Sequence, residues 1–176
     1  MGNTLVLNGC PVPTVPLKEG LSDFINFLKS HDAQVVLVCH NAKSCDAAIL
    51  CTCALQVGLA DIFSETVIGF LDTLPLLKEA YPGLASYAQK ALADQLLFTS
   101  YNEHNAMEDC TILSSLYSLV ISQKPDISII PFTFTTKSVM KRNSWKTTKK
   151  KNSVTFSPIV NKKHMSSQME DPPYST

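Results

Sequence analysis

The chain has 176 residues, 45% of them apolar, which is enough for one domain with length to spare and too little for two full ones. Fifteen basic and fifteen acidic side chains cancel overall, but residues 1 to 136 hold 6 basic and 13 acidic groups (net −7) while residues 137 to 176 hold 9 and 2 (net +7). The zero therefore conceals an acidic body with a basic tail. No run approaches the roughly 18 apolar residues of a membrane span, and Met1 to Leu7 has no basic stretch leading into an apolar one, so membrane and secreted classes are set aside in favour of a nuclear or cytoplasmic protein. The six cysteines (10, 39, 45, 51, 53 and 110) then read as reduced thiols. Cys51 and Cys53, with Cys45 nearby, lack the second close-spaced pair that a tetrahedral zinc site needs.

Leu5 and Leu7 alternate with polar or small neighbours, and Asn8-Gly9 supplies the two positive-φ positions of a hairpin turn before Cys10 to Val15. Pro11, Pro13 and Pro16 confine that second arm to a sheet edge. Leu21, Phe24, Ile25 and Leu28 fall at i, i+3, i+4 and i+7, one face of a helix ending near Ser30. Val35 to Cys39 is a short, continuous, β-branched run, expected as a strand covered on both faces. Leu50, Cys53, Ala54 and Val57 repeat at helical spacing, with Gly58 where a left-handed residue closes a helix. Thr66 to Leu71 reads as a second strand, then Asp72 and a short helix around Leu74 to Tyr81, broken by Pro82-Gly83. Ser86 to Leu97 and Ala106 to Ser122 are helical, the latter with Leu113, Leu116, Tyr117 and Val120 on one stripe. Ile127 to Thr135 has β-type composition, but Pro125 and Pro131 make it at most an edge element. Residues 137 to 176 have too few large apolar groups to offset ordering entropy and are expected to be disordered. Strands alternating with helices predict an α/β fold with parallel crossovers.

In open α/β sheets ligands bind beyond the C-terminal ends of strands, which directs attention to His40 to Asp46. Asp46 falls in the first turn of the following helix, with Ile49 and Leu50 at i+3 and i+4, so its carboxylate starts on the buried side and needs a cation or donors. The plainer alternative is that it complements the helix dipole. The second cluster is His104 to Cys110. Asn105 and Glu108 form a capping box, leaving His104 just outside the helix and Asp109 inside its first turn. An imidazole beside a carboxylate suits activation of water near a metal ion, and an incidental surface cap is the alternative.

Together the segments V-C-H-N-A-K-S-C-D (Val38 to Asp46) and H-N-A-M-E-D (His104 to Asp109) resemble the second and third motifs of the DEDDh branch of the DnaQ-like 3′-to-5′ exonucleases, in the same order. The intervening F-L-D-T-L-P-L-L-K-E-A-Y-P-G-L-A-S-Y-A-Q-K-A-L-A (Phe70 to Ala93) resembles the family's connecting segment, and the likeness covers about residues 3 to 122. Within that family the sequence is similar to exonuclease-like domains of the promyelocytic leukaemia type, fish proteins included. The resemblance implies an RNase H-like mixed sheet flanked by helices, with residues 1–123 as the domain and 124–176 as a basic tail. It implies two divalent ions, Mg²⁺ or Mn²⁺, about 4 Å apart and held by carboxylates. Asp46 and Asp109 would be metal ligands and His104 the group that orients or deprotonates water. Asn41 and Lys43 would touch the 3′ end of DNA or RNA, with a plain solvated loop as the alternative for Lys43. The sequence departs from the family at one point: no Asp-x-Glu or Asp-x-Asp occurs anywhere. Asp61 and Glu65 have the wrong spacing, and Asp72 follows the second clear strand. The resemblance thus implies an N-terminally incomplete domain, lacking its first two strands, with an unpaired edge on Val35 to Cys39. Hydrolysis is expected to fail for want of ligands. The alternative is a non-catalytic module for protein or nucleic-acid interaction. Lys141-Arg142 and Lys149-Lys150-Lys151, around Trp145, suit phosphate contact or a nuclear-import receptor.

Overall fold

The computed structural model describes residues 6–7, 10–149 and 159–161. Strands β1 (Val6–Leu7) and β2 (Cys10–Pro11) pair antiparallel with Leu7 opposite Cys10, and the expected Asn8-Gly9 turn lies outside the described residues. The proline-rich arm does not continue to Val15. It resumes as β3 (Thr14–Pro16), which pairs antiparallel with β7 (Ile159–Asn161). Helix α1 (Leu17–Lys29) then buries Gly20, Leu21, Ile25 and Leu28, the face that the spacing predicts.

The central sheet has the order β4 (Val35–Cys39), β5 (Val67–Asp72), β6 (Thr133–Thr135), with β4 parallel to β5 and β6 antiparallel to it. Between β4 and β5 run α2 (Asp46–Gln56) and α3 (Ala60–Thr66), and Gly58, at φ 74°, makes the left-handed turn after α2. β5 is followed by α4 (Thr73–Ala80), by α5 (Gln89–Leu92) running into a wider π-turn at Ala93–Leu97, and by α6 (Ala106–Gln123).

Two cores lie on opposite faces of this sheet. Leu37, Val67, Phe70 and Phe134 face one way and meet α1, α2 and α3, with Phe70 and Phe134 stacked at 5.7 Å. Leu71 faces the other way, into Leu76, Leu77, Leu92, Ile112, Leu116 and Val120. The stripe of α6 is centred on Ile112, Leu116 and Val120, and the expected Leu113 and Tyr117 flank it half-buried. β5 is buried at every residue but Ile68, because a strand stands on each side of it. β4 differs from its expected burial on both faces. Val36 and Val38 are 42% and 36% exposed, and no strand pairs with the outer edge of β4 among the described residues.

The expectation of a disordered tail from residue 137 does not hold for its first part. Helix α7 (Thr136–Lys149) packs lengthwise on α2. Only a few apolar side chains are needed for this, because the positions one turn apart do the work: Thr136, Val139 and Asn143 are buried and Met140 is partly so. Thr136 Oγ1 donates to the Val67 carbonyl, and the Asn143 amide donates to the Ala48 carbonyl (3.0 Å) and to Thr52 Oγ1 (3.1 Å). Buried polar groups that find such partners replace the hydrophobic surface that composition lacks. Residues 150–158 and 162–176, with Lys150 and Lys151, lie outside the described residues.

Gly69 marks where β6 presses on β5, since a Cβ there would lie 2.8 Å from the Phe134 carbonyl oxygen. Gly→Ala at a permitted backbone angle ordinarily stabilises by about 0.4–1 kcal/mol. Here the clash reverses the sign, and Gly69→Ala is expected to lose about 1–2 kcal/mol in urea unfolding. An unchanged or higher midpoint would refute the pairing of β5 with β6.

Candidate functional site

Cys39 and Asp72 end the two parallel strands side by side in register. Beyond Cys39 the chain turns tightly. Asn41 adopts a left-handed conformation (φ 60°), and its carbonyl accepts from the amides of Ser44 (3.1 Å) and Cys45 (3.2 Å). The Ala42 carbonyl takes the Ala47 amide at 3.0 Å, with Ala42 itself buried. This winding delivers Asp46 as the first residue of α2, half-buried, where the helix presents its unpaired amides. Asn41 and Lys43 are exposed on the same turn, and the Lys43 ammonium stands 5.9 Å above the Phe134 ring.

Asp72 is the acid that the sequence reading passes over. It is the last residue of β5, only 5% exposed, and its two carboxylate oxygens accept from different amides: Oδ2 from Lys43 and Oδ1 from Leu74, each at 3.1 Å. The second bond makes Asp72 the N-cap of α4, and the first pins the turn that carries Asp46. An Asp-Thr pair between a strand and a helical pattern is a capping signal, and it was legible.

His40 connects this end of the sheet to α6. Its Nε2 lies 2.8 Å from the Tyr87 carbonyl and its Nδ1 3.0 Å from Thr73 Oγ1. In the neutral ring Nε2–H donates to Tyr87 and Nδ1 accepts the Thr73 hydroxyl, which can turn instead to the Cys39 carbonyl at 3.2 Å. Two residues beyond Tyr87, Gln89 donates its side-chain amide to the Asp109 carbonyl at 2.7 Å. Burial raises the pKa of Tyr101, and the neighbouring Asp109 raises it further. The start of α6 follows the expected cap: Asn105 Oδ1 accepts from the amides of Met107 (3.1 Å) and Glu108 (3.4 Å). Glu108 reaches back to the Asn102 amide (2.8 Å), one turn further out than a simple capping box. His104 is exposed, with its backbone left-handed at φ 71°.

The electrostatics agree with this convergence. The Cys39 thiol is pushed up to about 12, by burial first and then by Asp46, Asp72, Cys110 and Cys45, so elements from α2, β5 and α6 all bear on one strand end. Cys51 is likewise raised to about 12 by burial. Both stay protonated at neutral pH and serve as packing atoms rather than nucleophiles. Burial lowers the pKa of His40, against the opposing pull of the Tyr87 carbonyl, Asp72 and Asp46.

The comparisons give this arrangement a family. The family model described as Exonuclease (RNase_T) matches residues 16–117, more than half of the chain. The chain belongs to the exonuclease family. Its mixed sheet flanked by helices agrees with the RNase H-like fold. It is also similar to the protein PML of Homo sapiens (29% identity over 121 residues, 67% of this chain) and of Mus musculus (27% over 106 residues, 60% of this chain). The chain spans 14% and 12% of the length of those relatives. No helix among the described residues is long and apolar enough to cross a membrane.

The carboxylates that remain do not make a complete cation site. Among the described residues no three His, Cys, Asp or Glu side chains gather to hold a metal ion, and both oxygens of Asp72 already serve amides. Mg²⁺ demands near-octahedral oxygen coordination, and this donor set does not fit it.

Two outcomes follow from the hydrogen bonds. Asp72→Ala leaves two buried amides without their acceptor and is expected to lower unfolding stability by about 2–4 kcal/mol, measured in urea. His40, whose folded pKa lies below its unfolded value of about 6.5, contributes stability that is complete above that pH and is lost as pH falls below it. The urea midpoint should therefore drop between about pH 7.5 and 5.5, and His40→Asn should flatten that part of the profile.

Proposed function

We propose that this chain is an exonuclease-family domain that engages 3′ ends of DNA or RNA in the nucleus, and that its own side chains do not sustain phosphodiester hydrolysis at a useful rate. The observation that carries the reading is the path from His40 through Tyr87 and Gln89 to Asp109, which ties the turn before Asp46 to the first turn of α6. Side chains from two distant motifs thereby share one end of the sheet, where α/β folds take their ligands. On this reading Asp46 and Asp109 are the remaining carboxylates of a metal-binding set for Mg²⁺ or Mn²⁺, and His104, exposed and five residues before Asp109, is the base. Asn41 and Lys43 contact the substrate. Without an Asp-x-Glu pair the set is too small, and no hydrolytic step is assigned to it.

A second reading, a non-catalytic interaction module, is favoured by the open edge of β4 with Val36 and Val38 exposed. A bare, uncharged strand edge is a surface that pairs with other chains. The basic residues from Lys137 onward support nucleic-acid contact or nuclear import under either reading.

The test is shortening of end-labelled single-stranded DNA and RNA by the purified chain in Mg²⁺ or Mn²⁺. No shortening above the Asp109→Ala background is expected, and clear activity that this substitution abolishes would overturn the inactive reading. Thermal midpoints with and without Mg²⁺ should coincide within error, because an ion that binds the folded state weakly stabilises it little.

A further inference from the structure

The central sheet ends in two edges, and they are not alike. β6 is three residues long, a short edge of the kind that resists further pairing. β4 has five residues and none of the usual protections. From Ala33 to Asn41 (A-Q-V-V-L-V-C-H-N) there is no Lys, Arg, Asp, Glu or Pro. The register shift beside Val35 and Val36 places the extra residue, Ile68, on β5, so it leaves the outer edge of β4 regular. Val35, Leu37 and Cys39 are half-buried against the core that contains Val67 and Phe70, while Val36 and Val38 stand exposed on the other face.

The sequence of this strand is its own complement. In an antiparallel pair turned about a two-fold axis at Leu37, Val36 of each copy stands opposite Val38 of the other, with Cβ atoms about 4.5–5.5 Å apart. Each exposed valine then covers another. The charges favour the same direction. The first formal charges on either side of the stretch are Asp32 and Lys43, both exposed. Antiparallel pairing brings the acidic end of one copy to the basic end of the other, whereas parallel pairing brings like to like.

We propose that two copies of this chain pair through β4, antiparallel about Leu37, and join their sheets into one of six strands in the order β6-β5-β4-β4-β5-β6. The inference rests on the interaction-module reading of this edge and names the partner as the chain itself. Five residues at about 3.4 Å make a contact about 17 Å long, which belongs with transient interfaces and not with obligate ones. The dimer therefore forms and dissociates with concentration.

Sedimentation equilibrium of the full chain tests this over about 5 to 500 µM. Dithiothreitol keeps the exposed Cys10, Cys45 and Cys110 from cross-linking. The mass should climb from 19.3 kDa toward twice that value, and amide exchange within Val35 to Cys39 should slow over the same range. Two double variants fix the geometry. Val36→Lys with Val38→Lys sets ammonium groups opposite each other and should hold the chain at the monomer mass throughout. Val36→Lys with Val38→Glu sets an ammonium opposite a carboxylate at both places and should restore the dimer, although the same two substitutions would repel if the strands ran parallel in register. An unchanged thermal midpoint at low concentration verifies the fold of each variant. Val36→Thr with Val38→Thr keeps the β-branched shape where a charge unfolds the strand, and it should still weaken the dimer about tenfold. A monomer mass at every concentration with freely exchanging β4 amides would overturn self-pairing while leaving the edge open to another chain. Protection of those amides already in the monomer would overturn the reading of the edge itself. A dimer that persists with two lysines, or is lost with Lys and Glu, would overturn the proposed arrangement.

Discussion

The Asp72 carboxylate is the contact on which the ligand end of this fold depends. It sits at the end of the central strand, almost free of water, with one oxygen on the Lys43 amide and the other on the Leu74 amide. A buried carboxylate is tolerated only when its lone pairs are occupied, and two main-chain donors occupy them without a counter-cation. The same bonds start α4 and fix the turn after β4. Without that turn, Asp46 has no defined position relative to the strands.

Placing a charge so deep is feasible because both faces of β5 are already sealed. Phe70 and Val67 close one side with α1, α2, α3 and α7, and Leu71 closes the other with α4, α5 and α6. Large apolar residues packed at crystal-like density hold the strand end still, so the geometry at Asp72 and Thr73 is set by the core and not by the loops. His40 extends this rigidity outward. It lies between Thr73 and Tyr87 and is kept neutral by burial, so it behaves as a spacer between the strand-end turn and the segment that reaches α6. The functional surface is thus assembled from the inside outwards.

Much of this was legible in the letters. The β-branched run at Val35, the helical spacing from Leu21 and the Asn105–Glu108 cap each encode a local preference that the tertiary structure keeps. What was not legible depends on neighbours. Whether Val36 is covered depends on what lies beyond the β4 edge, and nothing in a five-residue run reports that. α7 has the composition of a tail, yet a hydroxyl at Thr136 and an amide at Asn143 find carbonyls on β5 and α2 that lie 69 and 95 residues away in sequence. Asp72 is different: its capping signal, an acid followed by Thr73 between a strand and a helix, lies in the sequence, but its bond to the Lys43 amide joins residues 29 apart. Asp46 and Asp109 are readable as members of two motifs, whereas the link between the two segments runs through the His40–Tyr87 and Gln89–Asp109 hydrogen bonds, which join residues 47 and 20 apart in sequence.

The division of labour between the two ends of the charge distribution follows from these contacts. Asp72 cannot be recruited as a third cation ligand without stranding two buried amides, at a cost of about 1–3 kcal/mol each. The body around it, residues 1 to 136, carries a net charge of −7, which repels phosphates. The basic charge lies apart from those acids, on α7, whose Asn143 bonds α2, the helix that begins at Asp46.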